Sequence, residues 1–288
     1  MNPETLARIR RLYNKEATDS RIYRELSGIT SSANNKNVLL RMAADESRHE
    51  EIWGCYIQGP PKANAFLVWL FPRLARIFGL VFVINLMESG ESDAVRTYTE
   101  LGREVPVALE VMQDEARHEE YLISMLKEEK LSYISSMVLG LSDALVELTG
   151  ALAGFTLALN DNTMIGLAGF ITGVAATLSM AASEYLARKA DEGEKHPLKA
   201  TGYTGMAYLI TVVLLLAPFA LFARPLAALG CSLLNAGLII LGFTYFVSVV
   251  KRTSFLKGFH EMILISASVA LISFCIGWAA RAWLNLDL

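Results

Sequence analysis

Residues 110–150 read EVMQDEARHEEYLISMLKEEKLSYISSMVLGLSDALVELTG. The first half holds Glu115-x-x-His118 in a charged helical pattern. The second half enters a long apolar run that carries two acids, Asp143 and Glu147. At 3.6 residues per turn, soluble metal-ligand chemistry gives way to an intramembrane carboxylate within about seven turns. The chain is therefore read as all-α, with a soluble helical domain over 1–130 and a membrane domain over 131–288.

The totals agree with that division. The chain has 288 residues, 53% of them hydrophobic, and a mean hydropathy of +0.37. An average soluble domain is less apolar. Of the 55 Asp, Glu, Lys and Arg residues, only 18 lie in 131–288. The net charge of -3 and the lack of a basic block argue against a nucleic-acid partner. Cys55, Cys231 and Cys275 are isolated, so no C-x-x-C pair offers a zinc or rubredoxin-type site. The N-terminal MNPETLARIRRLYNKE has no apolar core, and no cleaved signal peptide is expected.

Upstream of the central stretch, apolar residues at helical spacing predict helices over about 4–30 and 33–57. Residues 66–87 are long and apolar, but Pro72, Arg73 and Arg76 interrupt them. They are read as a connection and the start of a buried third helix, lying on the membrane surface through Trp69 and Phe71, rather than as a further span. That helix is expected to run to about Gly102, with a fourth over 105–130. Downstream, five apolar stretches can each span a hydrocarbon core: 132–158, 163–186, 203–223, 226–250 and 260–284. Arg188, Lys189, Lys195 and Lys199 fall in one connection, and Lys251, Arg252 and Lys257 in another. The bias of positive charge places the N-terminal domain in the cytosol and the C-terminus outside.

A dinuclear iron site in a four-helix bundle takes one Glu from each of two helices and a Glu-x-x-His from each of the other two. The i, i+3 spacing puts Glu and His on one helical face. This chain supplies Glu16 on the first helix, Glu46 and His49 on the second, Glu88 or Glu91 on the third, and Glu115 and His118 on the fourth. Two of its four histidines sit in near-identical frames, D-E-S-R-H-E-E and D-E-A-R-H-E-E. One such frame is commonly a solvated helix face, whereas two of them with acids between are a ligand set. The trailing Glu50, Glu51, Glu119 and Glu120 are read as outer or solvated.

Residues 1–130 resemble the ferritin-like domain of rubrerythrins. The resemblance implies a four-helix bundle holding two iron ions that cycle between Fe2+ and Fe3+. It matches Glu16 with Tyr23 seven residues later, and Glu88 with Glu91, one of which exchanges as a ligand. The four-cysteine domain that usually delivers electrons in that family is absent from this sequence.

Asp143 lies ~15 Å into the first span if that span begins near Tyr133, and Glu147 is one turn further on. Buried charge in a span is costly and usually functional. Met180 and Glu184 are also i, i+4, and a thioether beside a carboxylate favours transition metals over magnesium or calcium. Gly150 with Gly154, and Gly169 with Gly173, allow close helix approach. V-L-G-L-S-D-A-L-V-E at 138–147 and S-M-A-A-S-E-Y at 179–185 resemble the first two span motifs of the vacuolar iron transporter family. The resemblance implies five spans, a homodimer, and exchange of Fe2+ or Mn2+ for protons along Asp143, Glu147, Met180 and Glu184. Plant members carry a long Glu-rich insert between spans two and three. Here that connection is short, with Asp191, Glu192, Glu194 and His196 as weak metal binders. A rubrerythrin-like domain joined to such a transporter is the architecture of membrane-bound ferritins, associated with iron export. The expectation is a proton-coupled exporter of iron or manganese in the plasma membrane. The alternative is a membrane-anchored ferroxidase or peroxidase.

Overall fold

The computed structural model describes residues 1–88, 94–126, 130–159, 161–190 and 197–284. Among them are eleven α-helices and no strand, as the apolar periodicity requires. The chain divides into two compact units, Met1–Glu128 and Glu129–Leu288.

The first unit contains α1 (Pro3–Ser27), α2 (Ala33–Gly54), α3 (Ala65–Phe78), α4 (Leu80–Glu88), α5 (Ala94–Leu101) and α6 (Ala108–Leu126). Local chemistry sets the starts. The Asn2 side chain accepts from the Glu4 amide, with Pro3 at the first helical position. Ser32 caps α2 through the Asn35 amide. Asn64 caps α3 through the amides of Phe66 and Leu67. α1 and α2 form the main pair, and α3 packs on α1. Ile9, Tyr13, Trp53, Tyr98, Leu101 and Val111 build one buried cluster of this unit, with Trp53 and Tyr98 stacked at 6.3 Å.

The stretch 66–87 differs from its sequence reading. It is helical on both sides of a break rather than a connection leading into a helix. Gly79 adopts φ 90, a conformation that favours glycine, and separates α3 from α4. Pro72 stays inside α3, buried on its inner face. No single described helix covers 66–87, and residues 89–93, between α4 and α5, lie outside the described residues.

The second unit contains α7 (Lys130–Leu159), α8 (Asn162–Ala190), α9 (Pro197–Leu221), α10 (Pro225–Lys251) and α11 (Phe255–Leu284). All five are long and apolar enough to cross a membrane, so the chain is an integral membrane protein. α9 begins six residues earlier than its apolar pattern, because Pro197 starts the helix before the hydrophobic run. Arg188 and Lys189 belong to the last turn of α8, not to a loop. Asp191, Glu192, Glu194 and His196 lie outside the described residues.

α7 is the central helix, packed on α8, α9, α10 and α11. Leu145, Leu148, Leu152, Tyr208, Val212 and Leu215 lie in its core. The closest approach is glycine against glycine: a Cβ on Gly277 of α11 would fall 2.3 Å from the carbonyl oxygen of Gly154. Hydroxyls inside the spans are satisfied locally. Thr149, Thr156, Thr177, Thr211 and Thr244 each donate to the carbonyl four residues back, the solution available where water is absent.

Candidate metal centre and membrane acids

In the first unit α1 supplies Glu16, α2 supplies Glu46 and His49, and α6 supplies Glu115 and His118. One ligand atom from each of Glu16, Glu46, His49 and Glu115 lies within 4.8 Å of the others. His118 Nδ1 reaches the same carboxylates, 3.4 Å from Glu46 Oε1 and 3.3 Å from Glu115 Oε2. His49 Nδ1 lies 3.4 Å from Glu46 Oε2 and 3.7 Å from Glu115 Oε1. Each of these two glutamates thus stands between both imidazoles, whose ring centres are 6.1 Å apart.

The outer ring nitrogens show a reciprocal pattern. His49 Nε2 faces Asp114 Oδ2 at 3.2 Å, and His118 Nε2 faces Asp45 Oδ2 at 3.3 Å. The aspartate that precedes the ligand glutamate in one D-E-x-R-H frame therefore supports the histidine of the other frame. Arg48 donates to Asp45 at 3.1 Å and to Asp114 at 2.5 Å, and Arg117 pairs with Asp114. Reading only Glu and His in each frame missed the aspartates, although the repeat itself contained them. A carboxylate on the outer nitrogen fixes the tautomer and aims Nδ1 inward.

Burial makes this cluster expensive without a cation. Glu16, Glu46, His49 and His118 are at most 2% exposed. Six of the cluster's buried atoms have no hydrogen-bond partner among the described residues: Glu16 Oε2, Glu46 Oε2, both Glu115 carboxylate oxygens, and Nδ1 of His49 and His118. Buried polar atoms are normally paired, and leaving one unpaired costs ~1–3 kcal/mol, more when it is charged. Three carboxylates and two imidazoles converging in this way could hold a metal ion. Protons take their place in the metal-free protein. Burial, with repulsion from Glu46, pushes the Glu16 carboxyl well up. Burial also opposes ionisation of Glu46, but contacts from His118, His49 and Glu16 outweigh it and hold that group well below the usual carboxylate range. Burial disfavours the His118 imidazolium, yet Glu115 and Glu46 outweigh it and push its pKa up to about 11.

Two tyrosines meet glutamates of this region. Tyr23 donates to Glu88 Oε1 at 2.8 Å, whereas Glu16 Oε1 accepts from Tyr98 of α5 at 3.2 Å. Helical spacing placed Tyr23 on the face of Glu16 but did not say which neighbour its hydroxyl meets. Glu88, at the end of α4, is outside the group of four converging ligand atoms. Glu91 lies outside the described residues, as do the side chains of Glu119 and Glu120. Glu51 is exposed and Glu50 half-buried.

In the second unit the four sequence-selected residues fall in two groups. Asp143 and Glu147 lie one turn apart on α7. Asp143 is half-buried, and Glu147 is exposed apart from the Tyr208 hydroxyl of α9, which donates to its Oε2 at 2.8 Å. Glu184 of α8 is buried and meets α7 at Ser136, seven residues or ~10 Å before Asp143. Ser136 donates to Glu184 Oε1 at 2.5 Å, and Arg188 Nε donates to the same oxygen at 2.8 Å. Arg188 Nη2 also reaches Ser136 Oγ at 2.7 Å. Met180, one turn before Glu184, packs against the core around α7 and α9. Ser136 and Tyr208 were not singled out in the sequence, because hydroxyls are common and carry no spacing of their own, and Arg188 was read only as a loop charge.

The fold and these residues define an all-helical integral membrane protein with carboxylates in its spans. Residues 134–193 match the VIT family, a stretch that takes in nearly all of α7 and the whole of α8. No curated protein and no solved structure matches the chain.

Proposed function

We propose that the chain carries divalent iron or manganese out of the cytosol in exchange for protons, and that its first unit is a ferritin-like, rubrerythrin-type bundle that captures the metal. The observation that carries the reading is the VIT family match over 134–193, which covers the helices bearing Asp143, Glu147, Met180 and Glu184. A membrane anchor has no need of such acids, because a charged side chain at mid-bilayer costs at least ~2.5–3.5 kcal/mol. Carboxylates bind a hard divalent cation and accept protons when it leaves, which gives exchange its chemistry. The Met180 thioether selects for transition metals over magnesium or calcium.

Glu147 is exposed on its own chain. A second copy covering that face would remove the carboxylate from lipid, so the transporting form is a homodimer. Its membrane is the plasma membrane, with both the bundle and the connection between α8 and α9 in the cytosol.

In the bundle, Glu16, Glu46, His49, Glu115 and His118 would hold two iron ions, with Glu88 and Glu91 the candidates from the third position. Bound there, iron would supply one-electron redox chemistry between Fe2+ and Fe3+. The chain's own residues collect and orient. Glu46 and Glu115 stand between both imidazoles, Asp45 and Asp114 aim those imidazoles, and Tyr98 holds Glu16. The capture unit raises the local concentration of metal for the spans by tethering alone. A second reading, a membrane-anchored ferroxidase, is favoured by the same buried cluster.

Vesicles containing the full chain separate the two. Metal uptake that follows an imposed pH gradient supports transport. Oxidation of Fe2+ without any uptake supports the anchored enzyme.

A further inference from the structure

α3 presents an outer face that stays exposed among the described residues. Phe66 is 63% exposed, Trp69 52% and Ile77 74%. Arg73 and Arg76 are exposed as well. The inner face carries the buried Pro72 and Ala75, and α3 packs on α1. Its start is pinned: the Lys62 amide donates to Asn14 and the Asn64 amide to Thr18, both on α1. The helix is therefore held in place with its aromatic side outward.

The exposed face is ordered and of one charge sign. Phe66 stacks on Trp69 at 6.1 Å, and the Arg73 guanidinium lies 4.1 Å over the Trp69 ring while donating to the Trp69 carbonyl. No acid occurs between Glu51 and Glu88, while Lys62, Arg73 and Arg76 are positive. Large apolar and aromatic side chains beside arginine, on a helix too short to span, are the composition of an interfacial helix. An arginine stacked on tryptophan keeps its charge at headgroup level while the rings enter the acyl boundary. The same chain carries five membrane spans, so a bilayer is always tethered to this helix.

We propose that α3 is a membrane-surface helix that docks the first unit on anionic lipid, with Phe66, Trp69 and Ile77 entering the headgroup boundary and Arg73 and Arg76 pairing with lipid phosphate. This inference is independent of whether the spans transport metal. Phe71, half-buried, is not part of the face, whereas Phe66 and Ile77, which composition did not single out, are. A second copy of the chain is the competing occupant. Its apolar surface would fit the rings, but the same two arginines would then face each other across a two-fold axis.

The test uses the full chain with Cys55, Cys231 and Cys275 replaced by alanine and an environment-sensitive fluorophore on Ile77→Cys. Leu40→Cys, on the exposed side of α2, is the control. Each is reconstituted in phosphatidylcholine vesicles with and without phosphatidylglycerol. The label at 77 is expected to shift to the blue and to be quenched by spin-labelled acyl chains when phosphatidylglycerol is present, while the label at 40 stays open to aqueous iodide. Arg73→Gln with Arg76→Gln should weaken association roughly thirtyfold, from a factor of about five per charge removed. High salt should act on the unmutated helix in the same direction, which covers the case in which the double variant misfolds. Iodide reaching both labels equally in anionic vesicles would overturn the proposal. So would a label at 77 that is shielded equally in detergent and loses its shielding on dilution, since a second copy would then be the cover.

Discussion

Replacing Asp45 by asparagine isolates the reciprocal support around the buried histidines. The change keeps shape and a carbonyl oxygen but removes the negative charge that faces His118 Nε2 at 3.3 Å. His118 Nδ1 then becomes a weaker donor to metal. Loss of such a partner typically lowers affinity ~10–100-fold, which is ~1.4–2.7 kcal/mol at 1.36 kcal/mol per factor of ten. Asp114→Asn should do the same through His49, where the separation is 3.2 Å. Independent effects would multiply to ~100–10,000-fold in the double variant. Arg48 touches both aspartates, at 3.1 and 2.5 Å, so the two losses are coupled and the double variant should fall short of the product. The assay is chelator competition on the full chain in detergent, read from the ligand-field absorption of bound Co2+. Thermal unfolding of the metal-free protein serves as control and should change little. If each single variant binds within about twofold of the unmodified chain, the aspartates do not tune the imidazoles and the reciprocal reading fails.

Two further outcomes follow from the same geometry. His118 is held protonated to about pH 11 against an ordinary 6.5, and Glu16 is raised by burial. Metal must displace both protons, so affinity should rise with pH between 6 and 8 with measurable proton release into weak buffer, and a pH-independent affinity would contradict it. In the metal-free protein the His118 contribution is fully present below pH 6.5 and is lost as pH rises through 11. Gly277→Ala should lower thermal stability in detergent by roughly 1–3 kcal/mol, because its Cβ meets the Gly154 carbonyl. Gly242→Ala, with open space around it, should be neutral or stabilising; equal behaviour of the two variants would remove the α7–α11 crossing.

The five spans were legible because each needs only a continuous apolar run, and α7 to α11 fall on those runs. Their ends were less so, since Pro197 and Arg188 extend helices beyond the hydrophobic pattern. The break in 66–87 was hidden because it rests on one backbone angle at Gly79, which composition does not reveal. Glu16, Glu46, His49, Glu115 and His118 were legible as a set because helical spacing fixes which residues share a face. Partners from other helices were not legible: the Tyr98 hydroxyl reaches Glu16 and the Tyr23 hydroxyl reaches Glu88. Arg188 read as a loop charge and stands instead against Glu184 and Ser136. Periodicity orients a side chain on its own helix but is silent on what crosses opposite it.

The most direct test of metal–proton exchange places the full chain in vesicles that hold a pH-sensitive dye, with Fe2+ or Mn2+ added outside. Metal should enter while protons move the opposite way, and Asp143→Asn should reduce both at least tenfold while inserting and folding as before. Metal uptake no faster than in empty vesicles, or an Asp143→Asn protein that transports at the unmodified rate, would contradict the proposed function.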